Sequence, residues 1–171
     1  MSTLPIVIYP DQRLKQRAAE VTVFDANLEK LVNDMCETMY VKDGIGLAAN
    51  QIGVLQRVIV VDVSEDRSGF LALVNPKILK SEGKGSREEG CLSIPGYREV
   101  VSRKTKLTVE YQDLQGQKVS LEAEDLLAIC LQHEIDHIDG ILFVDRISSL
   151  KRQLFLSWVK SQQERGEDIE E

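Results

Sequence analysis

His133 and His137 are the only histidines in the chain, and Glu134 stands beside the first. On a helix, residues four apart share one face and lie about 6 Å apart along its axis. Two imidazoles in that relation can hold one cation, with the neighbouring carboxylate placed to take a proton. The pair is incomplete for catalysis, which commonly uses three protein donors and one open position. With no third histidine, the remaining donor is a cysteine or an acid. Upstream, Cys91 lies in Glu88-Glu89-Gly90-Cys91-Leu92-Ser93, read as a Gly-flanked, accessible loop beside strands. Downstream, Glu164 is an acid on a later helix. Cys130, three residues before His133, faces the same neighbourhood, but its apolar setting suits pocket lining. Cys36 falls in a buried stripe and reads as a core residue.

These residues need elements to hold them. Leu126-Leu127-Ala128-Ile129-Cys130-Leu131 is apolar nearly all round, so the helix carrying the histidines, from about Glu124 to Ile138, is buried and ends at Asp139-Gly140. Near the start, the apolar run Leu4–Tyr9 and the turn Pro10-Asp11 lead to a short helix over Gln12–Ala19. Asp25 caps a helix to about Tyr40 whose stripe is Leu28, Leu31, Val32, Met35, Cys36 and Met39. Lys42–Gly46 ends it. Gly44-Ile45-Gly46 lacks the third glycine and the preceding strand of a dinucleotide fingerprint.

A β-rich middle follows: Arg57–Val63, Phe70–Val74 and Lys77–Ser81, then a polar loop Ser81–Ser86. Arg98–Arg103 is a further strand. Lys106–Gln112 and Gln117–Ala123 alternate around Asp113-Leu114-Gln115-Gly116 as a hairpin. Ile141–Val144 reads as a short strand, and Ser148-Ser149 opens a final helix with Leu150, Leu154, Phe155 and Trp158 inward. The fold class expected is α+β: antiparallel β-sheets packed around a central metal-bearing helix, with a C-terminal helix.

At 171 residues and 19.3 kDa, the chain is expected to form a single catalytic domain over residues 1–171. Its net charge of -7 is unevenly spread, because the end from Glu164 to Glu171 carries -4 of it. That acidic tail, 164–171, is expected to be disordered. The remaining body is near neutral, which argues against a nucleic-acid-binding face. No run reaches the roughly 20 apolar residues of a membrane span. No secretion signal is evident, and three unevenly spaced cysteines make no disulfide framework, so a reducing cytoplasm is the expected location.

Three segments together resemble the motifs of peptide deformylase, in order and at fitting separations. They are Gly44-Ile45-Gly46-Leu47-Ala48-Ala49-Asn50-Gln51, Glu89-Gly90-Cys91-Leu92-Ser93 and Gln132-His133-Glu134-Ile135-Asp136-His137. The likeness runs over nearly the whole chain, including Pro10-Asp11 and a C-terminal helix of the bacterial form. Ile138 stands where leucine is commoner, and the acidic end after Gly166 departs from the pattern.

The resemblance implies that Cys91, His133 and His137 ligate one divalent ion, Fe2+ by preference, with Zn2+, Ni2+ or Co2+ able to substitute. It implies Glu134 as general base and acid, and Gln51 with the Leu92 N–H as donors to the developing oxyanion. The substrate would be an N-formyl-methionyl nascent peptide, laid as an added strand along Ile45–Gly46 and Glu89–Gly90. Its methionine side chain would enter a pocket lined by Ile45, Leu126, Ile129 and Cys130. Glu89 would pair with Arg103 as an exposed, weak ion pair. Ribosome contact through Lys151, Arg152 and Lys160, and a monomeric state, are further expectations. Rival readings are an HExxH endopeptidase using Glu164, a non-catalytic module that captures formylated N-termini, and a scaffold around a closed structural zinc.

Overall fold

Val58, Ile59, Val60 and Val61 form strand β2 (Val58–Val61), and all four are fully buried. Successive side chains of a strand point to opposite faces, so such a run needs cover on both. The computed structural model, which describes residues 2–165, supplies it with a helix on each side. Val58 and Val60 pack with Val32, Met35, Cys36 and Met39 of helix α1 (Ala26–Val41), whereas Ile59 and Val61 pack with Leu131, Ile135 and Ile138 of helix α2 (Asp125–Ile138). Burying each such side chain contributes roughly 1.5–3 kcal/mol.

The sheet around β2 has five antiparallel strands in the order β1-β2-β3-β6-β7: β1 (Gly46–Ala48), β3 (Leu71–Glu82), β6 (Lys106–Gln112) and β7 (Lys118–Glu124) complete it. Strands β4 (Gly85–Cys91) and β5 (Ile94–Arg103) form a separate hairpin. Side chains of that hairpin meet α2 from the side away from the sheet, so α2 is the central helix. Helix α3 (Ser149–Glu164) closes a third cluster, where Phe155 and Val159 pack with Val7, Tyr9, Ile94, Val101 and Phe143. No described helix is long and apolar enough to cross a membrane.

Local chemistry explains where the sequence reading holds. Asp25 accepts from the N–H groups of Asn27 and Leu28 and so caps α1. Asp113 accepts from the N–H groups of Gln115 and Gln117, closing the β6–β7 turn with Gly116 at φ 84°. Burial pushes the Cys36 thiol up to about 12, in keeping with a core role.

Other expectations are corrected. The helix over Gln12–Ala19 shrinks to a 3-10 turn, Gln12–Lys15, because the later N–H groups go elsewhere: Ala18 to Ile138 O and Ala19 to Leu55 O. The two strands expected over 70–74 and 77–81 are one, β3 (Leu71–Glu82), bulged near Asn75, whose side chain bonds both main-chain groups of Val21. The loop over 81–86 is only a tight turn between β3 and β4, with Gly83 at φ 78°. Ile141–Val144 is not a strand; Asp145 draws the Leu142 N–H into a 3-10 turn, Phe143–Asp145.

In α3, Leu150 and Leu154 point outward, at 68% and 58% exposure. Phe155 and Trp158 face inward as expected, with Val159 beside them, and the edge-on packing of Phe155 against Tyr9 and Tyr97 turns the helix so that the two leucines face out. Glu164 belongs to α3; the tail after Arg165 lies outside the described residues.

Candidate metal centre

The apolar run of α2 sinks its third and fourth turns into the interior, where His133, Glu134, Asp136 and His137 are all buried. Cys91 reaches them from the end of β4. It is not on an open loop: it is the last residue of a strand, before the turn at Leu92–Ser93, and it is half-buried. Its Sγ lies 3.3 Å from His137 Nε2, which lies 3.2 Å from His133 Nε2. The three donor atoms fall within 4.8 Å of one another, a metal-capable group among the described residues.

Two imidazole nitrogens bound tetrahedrally to one ion at about 2.0–2.1 Å stand about 3.3 Å apart. The separations therefore fit a single cation. The chemistry of the donors fits as well. Glu89 Oε1 lies 2.9 Å from His133 Nδ1, and a carboxylate can only accept. The Nδ1 proton is held there, leaving Nε2 to face the other donors. Burial holds the His137 pKa well below its ordinary value, favouring the neutral ring that a metal needs. Burial also acts downward on His133, but Cys91, Glu134 and Glu89 outweigh it and the net shift is well upward. A proton thus competes with a cation for that ring.

Glu89 does not make an exposed ion pair. It meets Arg103 through two oxygens at 2.9 Å each, both residues being buried. Burial works to raise the Glu89 pKa, yet the bonds from His133 and Arg103 prevail and hold it below the usual carboxylate range. Arg103 extends the network to Asp136 Oδ2 at 2.7 Å, and Arg146 grips Asp136 at 2.9 and 3.1 Å.

Glu134 lies on the cleft side of α2, and its Oε1 is buried without a hydrogen-bond partner. Burial raises its pKa to about 7, where a carboxylate can both take and return a proton near neutrality. Gln51 sits in the 3-10 turn Ala49–Ile52, also buried. Its Oε1 accepts from the Ala48 N–H at 3.0 Å, which orients the amide. The Nε2 group is thereby aimed at Cys91 Sγ (3.4 Å) and Ser93 Oγ (3.2 Å). The Ser93 N–H donates to the same sulfur at 3.4 Å.

A cleft of about 480 Å³ opens beside these groups. It is lined by Ile45, Gly46, Leu92, Leu126, Ile129 and Cys130, and by Glu89 and Gly90 on the opposite wall. Gly46 is required by close approach, since a Cβ there would stand 2.5 Å from Glu134 Oε2 and 2.9 Å from Cys130 Sγ. Among the strands of the two sheets, β1 and β4 each keep one edge unpaired, and both border the cleft.

All predicted site residues but one thus gather around one cleft. The exception is Glu164, exposed at the end of α3 and paired with Lys160 at 4.0 Å. The sequence reading passed over Asp136, Ser93, Arg146 and Phe143, whose ring stacks near His133 at 6.0 Å between centroids. Asp136 and Ser93 lie inside the quoted motifs and were open to notice. Arg146 and Phe143 carry no signal outside the folded chain.

The family profile described as "Polypeptide deformylase" matches residues 3–153. A peptide deformylase of Nitrosococcus oceani is 50% identical over 153 residues, spanning 90% of this chain and 92% of that relative. The crystal structure of a peptide deformylase from Legionella pneumophila superposes with a TM-score of 0.87 at 46% identity, covering 96% of this chain and 99% of that one. That of the Thermus thermophilus enzyme gives 0.88 at 40% identity, covering 98% and 97%.

Proposed function

The chain belongs to the peptide deformylase family and hydrolyses the formyl group from N-formyl-methionyl chains; we propose that it does so with Cys91, His133 and His137 holding one divalent ion and Glu134 managing the proton. The observation that carries this reading is the convergence of one sulfur and two ring nitrogens beside a buried, unpartnered carboxylate oxygen in a cleft. A divalent ion there supplies Lewis acidity that makes hydroxide available from water near neutral pH.

Glu134, which burial raises to about 7 in the metal-free protein, takes the proton of the attacking water and returns it to the departing amine. Gln51 Nε2 donates to the charge that develops on the formyl oxygen, together with the Leu92 N–H. The amide suits this because it donates while remaining neutral, and Ala48 holds it in orientation beforehand. The free edges of β1 and β4 receive the peptide main chain as an added strand along Ile45–Gly46 and Glu89–Gly90. Ile45, Leu126, Ile129 and Cys130 receive the methionine side chain, and the thioether suits that apolar wall.

Iron(II) is the ion expected in the cell, in a cytoplasmic monomer of one domain. A thiolate beside a reactive iron is open to oxidation, so activity falls in air and survives under reductant. Ribosome contact through α3 has weaker support, since Lys151, Arg152 and Lys160 are paired with Glu99, Asp145 and Glu164. The test is anaerobic purification, metal determination and a formate-release assay on formyl-methionyl peptide. Iron with formate release, the latter abolished by Glu134→Ala, supports the reading. Equal, air-stable turnover of the zinc-loaded protein would overturn the iron assignment, and peptide binding without formate would overturn the catalytic one.

A further inference from the structure

The rim of the cleft ahead of β1 is irregular at Gly44 and Ile45, yet both carbonyls there are held from behind. Ile45 O accepts from the Asp62 N–H at 2.8 Å, continuing the β1–β2 ladder by one step beyond Gly46 and Val61. Gly44 O lies past the ladder and is taken by the guanidinium of Arg67, on the loop between β2 and β3. The same guanidinium donates to Asp62 O at 3.2 Å and stands over the Tyr40 ring, 5.1 Å from its centroid. Tyr40 in turn donates to Asp62 Oδ2 at 2.5 Å, and Gly69 N donates to that oxygen at 3.2 Å.

Asp62 is 1% exposed, so the loop is tied down at its base. Asp43 and Arg67 both hold left-handed backbone, at φ 57° and 59°, a costly conformation that persists only where surrounding contacts impose it.

The placement of the two glycines gives this brace a purpose. Gly46 flanks the reacting centre, because a Cβ there would stand 2.5 Å from Glu134 Oε2. Gly44 is two residues earlier, about 7 Å along an extended chain. An antiparallel strand added to this edge therefore sets its first residue near Gly46 and its third residue near Gly44. We propose that Arg67 is a positioning residue for substrate length: it fixes the Gly44 end of the rim so that main chain beyond the formyl-methionine is gripped. This rests on the added-strand reading above.

The test compares two substrates, formyl-methionine amide and formyl-methionyl-alanyl-alanine, in the iron-loaded protein and in Arg67→Met. Losing one or two well-placed hydrogen bonds at the rim raises KM for the tripeptide about five- to tenfold. The kcat for the tripeptide, the KM for the amide and the bound iron hold within about twofold, since no group at the reacting centre changes. Arg67→Lys keeps the charge but not the planar fork and restores part of the loss. Should Arg67→Met fail to fold, Arg67→Lys decides alone through a KM rise confined to the tripeptide. A loss equal on both substrates, a loss in kcat, or no change overturns the proposal. If the parent itself shows no preference for the tripeptide, the added-strand reading fails first, and the two failures are told apart.

Discussion

At the scale of single residues, the site is a contest over where protons and charge reside. Glu134 has its pKa raised from 4.5 to about 7 by burial, so its charged form is the disfavoured one. A raised pKa contributes stability that is whole below the unfolded value and lost as pH climbs through the folded one. In metal-free protein, Glu134→Gln should therefore leave stability unchanged near pH 4 and increase it by up to about 3 kcal/mol at pH 8. Urea unfolding at the two pH values measures this, and an equal effect at both would refute it. Gln51→Ala should lower kcat by about 10²–10³-fold, as removal of one oxyanion donor does. Metal content measured alongside separates that loss from collapse of the sulfur ligand it touches.

At the scale of elements, α2 is held by what presses on it from either side. Strand β1 comes so near that only glycine fits at position 46, where an added methyl would meet both Glu134 and Cys130. Gly46→Ala should cost at least about 10²-fold in kcat/KM by displacing the Glu134 carboxylate, with a fall in Tm as a second readout. From the hairpin side, the β4 carboxylate Glu89 binds His133 and Arg103 together. Its lowered pKa means that the stability it brings is present above the unfolded carboxylate value and lost as pH falls through the lower folded one. Glu89→Gln leaves Arg103 buried with half its partners, and about 3–5 kcal/mol should be lost above pH 5. The gap should close in acid, and thermal unfolding between pH 3 and 7 follows it.

At the scale of the whole molecule, the metal centre exists because a hairpin and a central helix, far apart in sequence, are clamped by buried charge and by apolar clusters. Cys91→Ala should abolish tight metal binding, whereas Glu164→Ala should leave it intact; metal titration of both variants checks this. The same difference disposes of the endopeptidase reading, since Glu164 has its place on an exposed turn of α3. Metal uptake should also release protons and weaken as pH falls, because His133 gives up a proton to bind.

How much could be read in advance depended on how local the physics was. The spacing of His133, Glu134 and His137, the apolar turns before them, the cap at Asp25 and the hairpin turn begun at Asp113 were legible because each is settled within a few residues. Elsewhere the partners were distant. The N–H groups of Ala18 and Ala19 left their helix for Ile138 and Leu55, and Leu150 and Leu154 turned outward while Val159 joined Phe155 in the core. The sequence by itself determined which side chains could ligate, carry a proton or cap a helix, since those are properties of residue type and short spacing. Only the tertiary structure decided that the Cys91 sulfur lies beside the two histidine rings, that the Glu89–Arg103 pair is buried and that Arg67 reaches Gly44. Each of those depends on a distance closed by packing, and no pattern along the chain encodes it locally.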